Sequence, residues 1–263
     1  MRIRANIRWL ATALCLLLLT LGLPAPAAHA VASCGNPIAC ENALPGTPQS
    51  VWDDGTDDQT ILGYATQMSV NIGSPIDFKI NTVAHAYTID IYRLGYYQGN
   101  GARKITSVPV TATLPQSQPA CLRDVATDLF DCGNWAVSAT WQVPSTAVSG
   151  VYIARLTRTD TGGSSQIVFV VRNDASHSDA VFQTSDTTWQ AYNTYGGASL
   201  YVGVNQPRGY KVSYNRPFID RNGVPLRDYV YANEYPTIRY LEANGVAVSY
   251  VPGLDIAMVQ GPP

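Results

Sequence analysis

The chain has only three histidines, and several motifs that mark familiar chemistry are missing from it. There is no H-E-x-x-H, no G-x-S-x-G and no phosphate-binding G-x-x-x-x-G-K. These absences argue against zinc peptidases, serine hydrolases of the nucleophile-elbow type and P-loop enzymes. No C-x-x-C occurs either, and only His85 and His177 lie beyond residue 30, so a zinc site has too few ligands. Charged residues make up 14% of the chain and never gather into a basic run. A nucleic-acid partner is therefore not expected. No repeat or low-complexity tract interrupts the sequence.

Long apolar runs are absent as well, except at the N-terminus. Arg2, Arg4 and Arg8 precede the run from Leu10 to Leu23, and Ala28-His29-Ala30 follows. That order predicts a secretory signal peptide over residues 1–30. Its loss removes three Arg and no acids. The balance becomes 14 Lys+Arg against 19 Asp+Glu, net −5. The mature chain is expected to be secreted, with no membrane attachment after cleavage. Cys34, Cys40, Cys121 and Cys132 remain. An even number of cysteines in an exported chain predicts two disulfides. Of three possible connectivities, the local pairs Cys34–Cys40 and Cys121–Cys132 close the shortest loops.

Residues 31–60 read as a linker and entry loop. Residues 61–173 then supply about seven short alternating segments rich in Val, Ile, Thr and Tyr, among them IDFKINTV, YTIDIYRLGYY and SQIVFVVRN. Turn residues separate them, which predicts an immunoglobulin-like antiparallel β-sandwich. Cys121 and Cys132 would pin one long loop over residues 115–132. Residues 174–263 read differently. AVFQTS predicts a strand, NEYPTIRYLEANG a helix with Asn233 as N-cap and Asn244-Gly245 as stop, and VAVSYV a second strand. Strand, helix, strand is the opening of a parallel α/β layer of flavodoxin or Rossmann type, here incomplete.

Tyrosine dominates what is left: ten of the 16 lie after residue 186. TTWQAYNTYGGASLY (187–201) carries four aromatic rings around Gly196-Gly197 and no charge. Three roles remain open for it. The rings could pack, they could stack on sugars, or the phenols could bind a hard cation such as ferric iron, whose charge lowers the phenol pKa.

This stretch, with AVFQTSD, VSYNRPF and EYPTIRYLEANGVAVSYVPGLD, resembles the large (beta) subunit family of N,N-dimethylformamidase, in particular its secreted bacterial members. NPIACENALPGTP, IDIYRLGYYQGNGARKI and DCGNWAVSATWQVPSTAVSGVYIARL extend the resemblance over most of the mature chain. The resemblance implies hydrolysis of small amides by water activated on a mononuclear Fe(III) held by two Tyr and one Glu. It assigns the Tyr ligands to Tyr192 and Tyr201, with Tyr195 as substitute. The family's Glu comes from a His-Asp-Glu-Tyr-type segment further downstream. The sequence reaches Pro263 before one, while Glu234 and Glu242 fall on the predicted helix. The resemblance thus implies a C-terminally truncated member with part of an iron site and no catalysis of its own. The alternative is a non-catalytic module binding a glycan or protein through exposed rings such as Trp52, Tyr96 and Tyr97. Oligomeric state is not readable from these residues.

Overall fold

The computed structural model of the protein describes residues 34–53, 57–219 and 229–260. Residues 1–33, which include the expected signal peptide, and residues 220–228 lie outside the described residues. The fold is mostly β with few helices, and its sheets are mixed and antiparallel.

Two short helices, α1 (Pro37–Asn42) and α2 (Gln49–Trp52), occupy the segment expected to be linker. Asn36 starts α1 by accepting the Ala39 N–H, and Pro37 sits where a missing N–H costs nothing. Strands follow: β1 (Ile61–Ala65), β2 (Ser69–Asn71), β3 (Pro75–Thr82), β4 (Tyr87–Leu94) and β5 (Ala102–Val108). Then come β6 (Leu122–Asp124), β7 (Leu129–Asp131), β8 (Ala139–Gln142), β9 (Gly150–Arg158) and β10 (Ser164–Arg172).

Strands β1-β3-β8 form one antiparallel sheet and β2-β10-β9-β4-β5 a second. Their facing side chains share a core of Phe78, Trp141, Tyr152 and Phe169, with Ile61, Ile76, Ile80, Ile89 and Ile91. Strand β3 shows why: alternate residues Ile76, Phe78, Ile80 and Thr82 point inward, as its period of two requires. The second sheet is not purely antiparallel, because β2 pairs with β10 in parallel. The segment read as one strand, YATQMSVNI, breaks at residues 66–68, and its two halves join different sheets. The long loop at 115–132 also contains structure, since β6 and β7 form a hairpin closed by Cys121–Cys132. Both local cysteine pairs lie at bonding distance.

The five-stranded sheet is covered on both faces. In β10, Ile167, Phe169 and Val171 join the core just described, while Val168 and Val170 face a second cluster. In β9, Tyr152, Ala154 and Leu156 divide from Val151 and Ile153 in the same way. The continuous apolar runs in these two strands follow from that double burial.

The second cluster is completed by the C-terminal elements. These are β11 (Ala180–Thr184), α3 (Asp186–Tyr192), α4 (Glu234–Ala243), β12 (Val248–Pro252) and α5 (Gly253–Gln260). Strands β11 and β12 pair in parallel from Ala180–Val248 to Thr184–Pro252. Helix α4 buries Tyr235 and Ile238 and leaves Tyr240 exposed. It ends at Gly245, whose φ of 66° favours glycine, with the Gly245 and Val246 N–H groups closing on Glu242 and Leu241 carbonyls. Asn233 does not cap it: its backbone is helical and its side chain makes no cap bond.

One ion pair ties the layers together. Arg93 of β4 meets Glu242 of α4 at 2.7 and 2.9 Å, both fully buried. Tyr250 and Asn42 also donate to Glu242, Tyr97 donates to Glu41, and Arg93 donates to the Ser149 carbonyl. Burial works against the Arg93 charge, and the field of Glu242 more than restores it.

Candidate functional site: a clamped tyrosine pair

The stretch TTWQAYNTYGGASLY is not a strand end. Residues 186–192 form α3, although Thr187 and Thr188 favour strand locally. The helix is fixed from outside at its first turn. Glu234 of α4 is buried, and its Oε1 accepts from Ser185 N at 3.0 Å, from Ser185 Oγ and from Trp189 Nε1 at 3.1 Å. Asp186 is fully buried too. It accepts from Thr184 and Tyr214 hydroxyls and from the Gly253 and Leu254 N–H groups that open α5.

After α3 the chain reverses through a 3-10 turn at Tyr195–Gly197. Gly196 and Gly197 have φ of 84° and 93°, where L side chains are strained. A Cβ on Gly196 would also stand 2.4 Å from the Phe130 ring. We expect Gly196→Ala to cost about 1–3 kcal/mol through strain at positive φ alone, with the ring contact adding to it. Urea unfolding of the variant measures this directly.

The reversal brings two predicted residues together. The Tyr192 and Tyr201 rings stack with centroids 4.3 Å apart and planes inclined by 20°. Leu200 N bonds to the Ala191 carbonyl at 3.0 Å, so the residues preceding each ring are tied by backbone. Ser199 Oγ accepts from the Tyr201 and Val202 N–H groups. Tyr192 is half-buried, whereas Tyr201 is 59% exposed.

Tyr195 is placed elsewhere. Its ring lies edge-on to Phe130 and Trp135, beside the Cys121–Cys132 bridge. Burial raises its pKa, which works against a phenolate there.

Two residues that sequence reading passed over hold the loop. Arg216 is 1% exposed and donates to four carbonyls: Gln190, Tyr195, Ala198 and Ser213. Among the described residues no carboxylate pairs with it. Burial, opposed in part by Tyr229, lowers its pKa to about 10, so it stays cationic at neutral pH. Asp128, between β6 and β7, gathers the Val204, Asn205 and Gln206 N–H groups and the Asn205 side-chain amide. The surroundings of Asp128 disfavour its charge, but these bonds prevail and lower its pKa to about 2.

That depression sets a pH dependence. Asp128 binds its proton less readily folded than unfolded, so its contribution is complete above the unfolded carboxylate value near 4. It is lost as pH falls through the folded value of about 2. We expect the Asn205 and Gln206 amides to lose exchange protection between about pH 4 and pH 2. Asp128→Asn should show the loss already at pH 6.

The donor set can be compared with what iron needs. Two neighbouring phenols are hard oxygen donors of the right kind. Among the described residues no group of three His, Cys, Asp or Glu could hold a metal ion. Glu242 is consumed by Arg93; Glu234 gives its Oε1 to Ser185 and Trp189, while its buried Oε2 has no partner among the described residues. Moreover Glu234 binds the start of α3 and Tyr192 closes its end, about 9 Å of helix rise away. Two phenols by themselves do not make a complete mononuclear iron site.

The ring platform expected of a binding module is not there either. Trp52 and Tyr97 are fully buried, with Trp52 packed edge-on to Tyr235. His85 and His177 are exposed, as solvated loop residues would be.

Comparison with known proteins adds the decisive observation. The family described as "N,N-dimethylformamidase beta subunit-like, C-terminal" matches residues 88–262. The chain belongs to this family. The matched region takes in the tyrosine pair, Arg216, α4 and both parallel strands. Among curated proteins none matches. Domain 1 of VCBP3 from Branchiostoma floridae is similar over 44% of this chain and 96% of its own length, at 12% identity and a TM-score of 0.25. At that score the likeness decides nothing about the fold.

Proposed function

We propose that this family member is an exported relative of iron-dependent small-amide hydrolases. On this reading its stacked tyrosines are two donors of a ferric site, and the described residues do not hydrolyse amides by themselves. The observation that carries this is the Tyr192–Tyr201 stack at 4.3 Å on a loop clamped from three sides. Family membership supports the hydrolase ancestry, and the engagement of Glu242 by Arg93 supports the lack of turnover by the described residues. The basic-then-apolar N-terminus and two disulfide-distance cysteine pairs support export.

The finer architecture belongs to the same proposal. We read the two packed sheets as an immunoglobulin-like sandwich, a reading supported by their antiparallel pairings and common core. We read β11-α4-β12 as the opening of a parallel α/β layer, supported by the parallel register of the two strands.

The test is an assay of the full chain with formamide and N,N-dimethylformamide, with and without added ferric iron, following amine release. We expect no turnover above buffer in either case. Turnover that disappears in Tyr192→Phe would overturn the inactive reading while keeping the ancestry.

A further inference from the structure

A cavity of 360 Å³ lies between β2 and the C-terminal helices, and the tyrosine pair does not line it. Its lining includes Gln190, Ser69, Arg172, Asp255, Tyr214 and Phe218. Gln190 and Tyr192 are two apart on α3, and helix positions so spaced do not share a face.

The unusual member is Gln190. It is 1% exposed, and neither its amide nitrogen nor its amide oxygen has a hydrogen-bond partner among the described residues. A buried amide left open at both ends costs free energy at each. It calls for an occupant presenting a donor and an acceptor side by side.

The remaining lining narrows the class. Arg172 and Asp255, with side chains 26% and 28% exposed, form the more open part of the wall and pair at 2.6 Å. Arg172 also pairs with Asp174, and Ser69 Oγ bonds both Arg172 and Asp255. One cation therefore faces two carboxylates, which disfavours an anionic ligand. Ser69 is already bonded to Arg172 and Asp255, so the open demands are those of Gln190, for one donor and one acceptor, and of the Asp255 carboxylate, which can accept a further donor. Tyr214 and Phe218 supply aromatic surface for an apolar ring face. A hydroxyl does both jobs, and a polyol carries several. A single amide would answer Gln190 and leave the Asp255 carboxylate without its further donor. The volume lies at the lower end for small-molecule sites and accommodates one or two sugar rings.

We propose that this cavity binds a neutral polyhydroxylated ligand, a mono- or disaccharide, with Gln190 as the specificity-determining contact at its buried wall. The site does not depend on the iron reading. If it exists, the chain binds saccharide whether or not it ever hydrolyses an amide.

The experiment is calorimetric and ligand-observed NMR titration of the full chain with glucose, galactose, mannose and cellobiose, with acetamide as comparator. We expect saturable binding of at least one sugar and at least tenfold weakening in Gln190→Leu. That variant should keep or raise its melting temperature, because it deletes two unsatisfied polar atoms. Gln190→Met provides the same reading should the leucine variant fold poorly. If no sugar saturates, the cavity holds only water and the proposal fails. It fails equally if acetamide alone binds, or if both Gln190 variants bind sugar as the parent does.

Discussion

Replacing Arg93 with methionine lowers the stability of the folded chain by about 3–5 kcal/mol, the loss typical of breaking a buried pair from one side. The size comes from what stays behind. Glu242 would keep its charge in a fully buried place, with only Tyr250 and Asn42 donating to it. The Ser149 carbonyl would lose both of its guanidinium bonds. Because Arg93 belongs to β4 and Glu242 to α4, the loss separates the five-stranded sheet from the C-terminal layer. The double variant Arg93→Met, Glu242→Leu should recover part of the loss, since the unpaired charge is gone. It should not recover all of it, as Tyr250, Asn42 and Ser149 would remain without their partner. Urea unfolding of the single and double variants, read as midpoint shifts at constant slope, checks both statements.

Arg216→Met should cost a comparable amount, on the order of 3–5 kcal/mol, because each buried carbonyl left without a donor costs about 1–3 kcal/mol and relaxation recovers some of it. Four carbonyls depend on this one guanidinium. Three of them belong to the stretch 190–198, so the effect has a local signature. Tyr192 and Tyr201 should lose their stacked arrangement, visible as a change in near-ultraviolet circular dichroism that Arg93→Met at matched stability does not produce. Arg216→Lys should not rescue, since one ammonium cannot reach four carbonyls in a fixed fork.

Much of the fold was legible because its signals are local. The alternation in β3, the Gly245 stop of α4 and the local cysteine pairs all lie within a few residues of what they determine. The parallel β11–β12 pairing was legible from the intervening helix, since a parallel connection needs a crossover. What escaped is non-local. Thr187 and Thr188 favour a strand, and α3 exists because Glu234, 49 residues from Ser185, receives its first turn. Arg216 reaches back 18 to 26 residues, and Asp128 forward 76 to 78, to groups with no signature of their own. A lone Arg in the weakly charged NRPF segment was the one available hint. The buried Trp52 and Tyr97 misled for a related reason: a sequence lists aromatic rings without saying which side of a sheet is covered. The Tyr192–Tyr201 pairing was expected from the family resemblance, and the short reversal at Gly196-Gly197 is what brings the two rings together.

The central claim is that Tyr192 and Tyr201 act as a pair toward a hard cation. Ferric titration of the full chain, followed through the visible phenolate-to-iron charge-transfer absorption, tests it most directly. The account predicts a weak, saturable band that is lost in both Tyr192→Phe and Tyr201→Phe and kept in Tyr195→Phe. No band, or one indifferent to the first two substitutions, would contradict it.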